Sequence, residues 1–252
     1  RTRFIQNRIP FRGDAVLHLD LVHVARRFWK RRLSDCSLGN IEREILEIQR
    51  HGDVPSYLIP SMWFEYLRTR DARPLERVFY HHRMDILSLV ALTGWLSQRL
   101  ETPDGAGFEH SEDRLSVVRV YFQQRKYEDV YRHAQHFLAA EQETPLRREC
   151  LEMLGFSCKR LERWEEMEEA WERLRSEFPD CLTAYLELAK HLEHRRRDLA
   201  RAAEVCSHAL THFAGRRRTT VRAVYLQEDT EPLERRLARI QRKLGQGGLL
   251  GD

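Results

Sequence analysis

The sequence predicts an α/β region followed by an all-α region, and three observations carry that reading. First, AVLHLDLV at residues 15–22 alternates Leu17, Leu19 and Leu21 with His18 and Asp20, the period of a half-buried strand. Second, helical patterns follow this segment as far as residue 100. Third, the chain beyond residues 101–113, where Pro103, Gly105 and Gly107 cluster with acids as in a linker, is helical throughout and repeats itself. The expected organisation is therefore residues 1–100, a linker at 101–113, and a helical region at 114–252.

One strand does not make a sheet. The α/β reading of the first region thus requires neighbours upstream of Arg1, and the region is read as truncated. The sequence opens without Met and without a charged-then-apolar leader, which agrees with a start inside a domain. After the strand come helices over LVHVARRFWK, over SLGNIEREILEI with Ser37 as its cap, and over SMWFEYLRT with Ser61 in the same role. A longer helix runs from about Pro74, a good first-turn residue, to Leu100.

In the second region three anchor series recur: Tyr127, Trp164 and Leu199; Val130, Met167 and Ala202; Phe137, Leu174 and Ala209. Each series is spaced by 37 and then 35 residues, close to the period of a helix-turn-helix repeat. The middle unit carries Leu154, Gly155, Trp164, Trp171 and Pro179, and on these residues it resembles a tetratricopeptide repeat, with Met167 where a small residue is usual. The third unit carries one extra residue in HRRRD. The segment RTTVRAVYLQ has no clear pattern. TEPLERRLARIQRKL then places Leu233, Leu237, Ile240 and Leu244 on one face, as a terminal capping helix would, with Thr230 and Pro232 at its start and Gly245 at its end.

Composition limits the function classes. With 252 residues, 42% apolar and 33% charged, the chain has the balance of a soluble protein with a core, not of a disordered or fibrous one. No run approaches the roughly 18 apolar residues of a membrane helix. Residues 1–100 hold 17 Lys/Arg against 11 Asp/Glu, and residues 101–252 hold 26 against 28, so a polyanion should favour the first region. Cys36, Cys150, Cys158, Cys181 and Cys206 are odd in number and form no CxxC pair, which fits a reducing cytoplasm. No GxGxxG, phosphate loop or GxSxG elbow is present.

The chemistry centres on VFYHHRMDILSLVALTGWL, residues 78–96. Apolar residues occupy nearly every side of this helix, so burial is expected, yet Asp85 sits in its middle with His81 one turn earlier on the same face. A buried carboxylate needs a partner or a metal. Two readings are open: an i,i+4 pair with His81 or hydrogen bonds from a neighbouring loop, or a metal ligand.

The run HLDLVHVARRFWKRRLSDCSLGNIEREILEI, followed by DVPSYLIPSMWFEYLRTRDARPLERVFYHHRMDILSLVAL, resembles the C-terminal half of the ribonuclease H-like domain of the YprB family, which is related to the DEDD exonucleases. The resemblance covers roughly residues 1–98. The family's last motif, HNxxD, stands here as His81, His82 and Asp85, with His82 in place of Asn. The resemblance implies phosphodiester hydrolysis of DNA or RNA, of the 3′–5′ exonuclease type, with two Mg²⁺ or Mn²⁺ ions held by carboxylates. In that scheme Asp85 is the last metal ligand and His81 orients or deprotonates the attacking water, while the three other carboxylates fall upstream of this sequence. Asp14 and Asp20 are candidate substitutes, with Asp20 at the strand end in a block the family uses for packing.

Arg26, Arg27, Lys30, Arg31 and Arg32 crowd around Phe28 and Trp29. Cations for phosphate with aromatics for stacking would make a nucleic-acid surface. The alternative is that the rings face the core and the cations stay solvated. Arg195–Arg197 and Arg216–Arg218 fall in turns, where solvated charge is the default, and the bias of 38 Arg to five Lys reads as genome composition. The helical pairs His133/His136, His191/His194 and His208/His212 have no converging third ligand and are expected at the surface. Two functions follow: a nuclease fragment with a protein-interacting repeat region, or an inactive adaptor in which the tetratricopeptide-like repeats bind a protein or peptide partner.

Overall fold

The computed structural model describes residues 6–10, 19–102, 107–142, 144–219 and 229–247. Two compact units result, Arg1–Glu101 and Thr102–Asp252.

The α/β expectation is not met: every regular element among the described residues is helical, with no strand. Residues 15–18 of the expected strand, and Asp14, lie outside the described residues, and its end is something else. Leu21 and Val22 open helix α1 (Leu21–Trp29), and Asp20 is its N-cap, with the carboxylate accepting the Val22 N–H at 2.9 Å. The alternation read as a strand thus runs into a capped, amphipathic helix, because an Asp two residues before a free N–H satisfies that donor locally. Asp20 has this capping role and lies 3.7 Å from His23.

α1 buries Ala25, Phe28 and Trp29, and the Trp29 ring meets Trp95 edge-on at 5.8 Å. α2 (Leu38–Glu44) follows Ser37, whose side chain makes no capping bond, and ends sooner than its sequence pattern suggests. A 3₁₀ turn, Ser56–Leu58, leads into α3 (Ile59–Thr69). This helix starts two residues before Ser61, so Ser61 is not its cap; its hydroxyl donates to the Leu58 carbonyl at 2.7 Å. Pro60 occupies the first turn, where a missing N–H costs nothing. α4 (Leu75–Glu101) is the long helix, and α2 and α3 both pack on it. Its apolar circumference is only partly covered: Leu75, Leu92 and Leu96 are buried, whereas Phe79, Ile86, Leu87 and Val90 are exposed.

The second unit consists of α5 (Ser111–Gln123), α6 (Tyr127–Ala140), α7 (Thr144–Arg160), α8 (Trp164–Glu177), α9 (Leu182–His191), α10 (Leu199–Thr219) and α11 (Glu231–Gly247). Each of these helices packs on the next, and α5 also packs on α7. α5 begins inside the expected linker, α11 runs past Gly245, and most of RTTVRAVYLQ lies outside the described residues.

The sequence repeat has a direct structural counterpart. Tyr127, Trp164 and Leu199 are the first residues of α6, α8 and α10. Val130, Met167 and Ala202 are buried, as are Phe137, Leu174 and Ala209. Two residues before each of these starts, the chain passes through a left-handed residue: Arg125, Glu162 and Arg197, at φ 59°, 58° and 56°. A non-glycine residue tolerates that region only where its surroundings impose it. The extra residue in HRRRD is absorbed by a π-turn at Leu192–Arg196, the usual way an insertion is accommodated within a helix end.

Gly155 shows why one glycine is needed. A Cβ there would stand 2.6 Å from Trp171 Cε2, inside contact distance of a ring with no solvent exposure. α7 and α8 approach closely because position 155 carries no side chain. Four cysteines, Cys150, Cys158, Cys181 and Cys206, sit in this core as free thiols.

Candidate functional site

The first unit gathers its chemistry where the loop after α2 folds against α4. Gly52, at φ +72°, lets the loop reverse. Arg77 of α4 then holds its carbonyls, donating from Nε to Gly52 at 3.1 Å and from Nη2 to Asp53 at 2.8 Å. This pins Arg50 and Asp53 over the face of α4 that carries His81 and Asp85. A cleft of about 440 Å³ opens there, lined by Glu42, Arg50, Asp53, Ser56, His81 and Asp85, among others.

Arg50 is the centre of the cluster. Its guanidinium grips Glu42 with two nitrogens, Nε to Oε2 at 2.7 Å and Nη2 to Oε1, donates from Nη1 to Asp53 Oδ2 at 3.0 Å, and from Nη2 to Asp85 Oδ1 at 2.7 Å. The Glu42 side chain is 2% exposed, Arg50 12% and Asp85 34%. Burial lowers the affinity of Arg50 for its proton, but the three carboxylates outweigh it and raise the net value. Burial likewise pushes the Asp53 carboxyl up, and hydrogen bonds from His81, Arg50 and the Val54 N–H pull it further down, leaving it below the usual 3.8. An ionised Asp53 accepts only, so the His81 nitrogen facing it must carry the hydrogen. His81 Nδ1 lies 2.9 and 3.0 Å from the two Asp53 oxygens. Arg50 Nη1 stands 3.3 Å from that nitrogen, and both give their hydrogens to the Asp53 carboxylate. His81 Nε2 lies 3.5 Å from Asp85 Oδ2 and 3.4 Å from the Ser56 hydroxyl.

Sequence reasoning therefore placed His81 and Asp85 together, and they are together, but Asp85 is not the sealed carboxylate expected. It is a third exposed, and the cation beside it is Arg50. Glu42, Arg50 and Asp53 were not singled out in the sequence. The acid-basic alternation of IEREILEIQRHGD is common on solvated helices, and only the packing of α2 and the fold of the loop after it bring these three to α4.

The donor set, three carboxylates and an imidazole, has the hard oxygen-rich chemistry that divalent ions favour. As arranged it does not fit one: Arg50 Nη2 occupies the point shared by Glu42 Oε1 and Asp85 Oδ1. Among the described residues no three His, Cys, Asp or Glu side chains are grouped to hold a metal.

The basic segment resolves in favour of packing. Phe28 and Trp29 are buried at 2% and 0% exposure, so neither ring is available to a base, while Arg26, Arg27, Lys30 and Arg31 lie at the surface and Arg32 is half-buried. The histidine pairs are not all at the surface. His133 is buried and stacks on Tyr121 at 5.1 Å, and His191 is buried and stacks on Trp164 at 6.1 Å, since an imidazole packs as a small aromatic ring. No helix of the described residues is long and apolar enough to cross a membrane.

Comparison with known proteins places these observations. The uncharacterized protein YprB of Bacillus subtilis (strain 168) is 30% identical over 247 residues, 96% of this chain and 56% of the relative, so the chain spans about half the length of the curated relative it matches. No solved structure matches it. The family model of the RNase H superfamily matches residues 1–97, a range that contains all of Glu42, Arg50, Asp53, His81 and Asp85. Residues 1–97, the segment that holds the cleft, are accordingly similar to domains of the RNase H superfamily.

Proposed function

We propose that the chain is part of a nuclease that hydrolyses phosphodiester bonds of DNA or RNA, exonuclease-like, with Asp85 and His81 at the reacting centre. The superfamily match over the segment that contains the cleft carries this reading. Asp53 orients His81 so that Nε2 faces the cleft as a base, which suits proton removal from a water held between Nε2, Asp85 and Ser56. Nucleases of this superfamily typically depend on divalent cations, and Mg²⁺ or Mn²⁺ would neutralise phosphate charge; in this chain Asp85 is engaged by Arg50. The surface cations Arg26, Arg27, Lys30 and Arg31, with half-buried Arg32 beside them, would contact phosphates, without base stacking.

The test is cleavage of end-labelled single-stranded DNA and RNA, with Mg²⁺ or Mn²⁺ supplied, by wild type, Asp85→Asn and His81→Gln. Loss of a group that acts on the reacting atoms should cost roughly a hundredfold or more. Unchanged cleavage by Asp85→Asn removes it from the site. A second reading is favoured by one observation, the arginine among the carboxylates: an inactive adaptor in which the helical hairpins, similar to tetratricopeptide repeats, bind a protein or peptide. Absence of cleavage by wild type on every substrate and ion would select it.

A further inference from the structure

We infer that the second unit binds a nucleotide phosphate in a cavity walled by Trp164 of α8, by Lys190 and His191 at the end of α9, and by Arg236 of α11. The cavity holds about 300 Å³, the lower end of the range of small-molecule sites. This inference stands on the second unit and does not rest on the proposed nuclease site.

The lining is rich in donors. Lys159, Lys190, Arg195 and Arg236 bring four cations to it. Its carboxylate, Glu187, accepts from Lys159 Nζ and from Lys190 Nζ, both at 2.6 Å, which leaves each ammonium with hydrogens to give. Arg195 is exposed, and its guanidinium lies 4.3 Å over the Trp164 ring. Two buried polar groups are unanswered by the protein. The His191 side chain is 2% exposed; its Nδ1 has no hydrogen-bond partner, and its Nε2 lies 3.2 Å from Glu168 Oε2 without the alignment of a bond. Arg236 Nε has none either, although Nη1 of the same guanidinium holds Glu193. The Arg236 Nε–H is a donor in any protonation state, and a buried donor left unpaired is costly and uncommon, so the cavity it borders calls for an acceptor.

A ligand that only accepts, carries negative charge and has a flat apolar part satisfies this lining. A phosphate answers the ammonium and guanidinium groups, and its attached base would take the place of the exposed Arg195 guanidinium over the Trp164 ring. A free mononucleotide and a nucleotide within a strand share this chemistry.

The experiment titrates the chain with AMP, a short oligothymidylate and a glutamate-rich peptide, by calorimetry and by the imidazole nitrogen resonances of His191. The expected result is saturable binding of a phosphate-bearing probe that shifts the His191 resonances. Arg195→Glu and Lys159→Ala, both exposed positions, should each weaken it roughly tenfold with the far-ultraviolet spectrum unchanged, whereas Arg160→Ala, at an exposed position outside the cavity, should leave it as it is. Binding of AMP in competition with the oligonucleotide identifies the free nucleotide as ligand; binding of the oligonucleotide alone identifies the strand. The inference is overturned if neither phosphate probe binds, if the peptide binds equally well, if His191 does not respond, or if binding survives both variants.

Discussion

Replacing Arg50 by Met tests whether the loop over α4 is held by charge. The substitution keeps length and removes the guanidinium, leaving Glu42 at 2% exposure and Asp53 at 20% without their shared cation. Removing one partner of a buried ion pair costs about 3–5 kcal/mol, because the remaining charge stays buried unpaired. Asp85 adds less, being a third exposed and open to solvent screening. For a unit of this size each kcal/mol lowers the melting midpoint by roughly 4–8 °C, so a fall of roughly 12 °C or more is expected. Urea unfolding followed by fluorescence of Trp29 and Trp95, which pack together in this unit, reads the change. Adding Glu42→Met to Arg50→Met should restore a large part of the loss, since the stranded carboxylate is then gone. A cost under about 1 kcal/mol for the single variant, as found for surface pairs, would refute the argument that Arg50 organises the cluster.

The same substitution should have opposite signs at two glycines: Gly155→Ala drives a Cβ into the Trp171 ring and should cost about 1–3 kcal/mol, whereas Gly94→Ala in α4 meets nothing within 4 Å and should gain about 0.5–1 kcal/mol, both read by urea midpoints. Glu193 is held by Arg239, Lys243 and Arg236, chiefly by its hydrogen bond from Arg239, and its carboxyl is drawn down from 4.5 to about 2. A depressed carboxyl stabilises above its unfolded value and loses that contribution as pH falls through the folded one, so the second unit should weaken between pH 4.5 and 2, and Glu193→Gln should flatten that slope in acid titration by circular dichroism. Burial raises the thiols of Cys158 to about 12 and of Cys181 and Cys206 to about 11, so a disulfide reagent should modify half-buried Cys36 first and these only on unfolding. Chelation by EDTA should leave the midpoint of the first unit unchanged, because Arg50 already meets its carboxylates; a fall reversed by Mn²⁺ would contradict this.

How much could be read in advance differed between the two units for a physical reason. In the second, the contacts are local and periodic, so the anchors at Tyr127, Trp164 and Leu199 fall at helix starts, while the close approach of Gly155 to Trp171 emerges only in the packed hairpin. In the first, the site depends on a loop of irregular backbone. His81 and Asp85 were visible because four residues make one turn of a helix. Arg50 reaches Asp85 from 35 positions away, and Asp53 reaches His81 from 28, separations that no local pattern encodes. The strand reading does not hold at the described end of its segment, residues 19–22, because alternation over a few residues cannot be told from the start of an amphipathic helix once an Asp stands ready to cap it. Burial of Asp85 was overestimated for a related reason: an apolar circumference states what could be covered, and α4 is covered on one side.

The abundance of arginine also has a structural use. Arg119 reaches Glu149, Arg147 reaches Glu177, and Arg201 reaches Glu168 and Glu172, each pair about one hairpin apart. The planar forks of Arg119 and Arg147 each engage both oxygens of one carboxylate, and that of Arg201 is shared between two, geometries that a lysine ammonium does not match. Stitching of this nearest-neighbour kind sets how the second unit gives way under mechanical load. Held by its ends in an optical trap, it should lengthen by discrete increments instead of one long rip, each increment near the stretched span of a 35- to 37-residue hairpin, on the order of 12 nm, and concentrated salt should lower the force at which the increments occur.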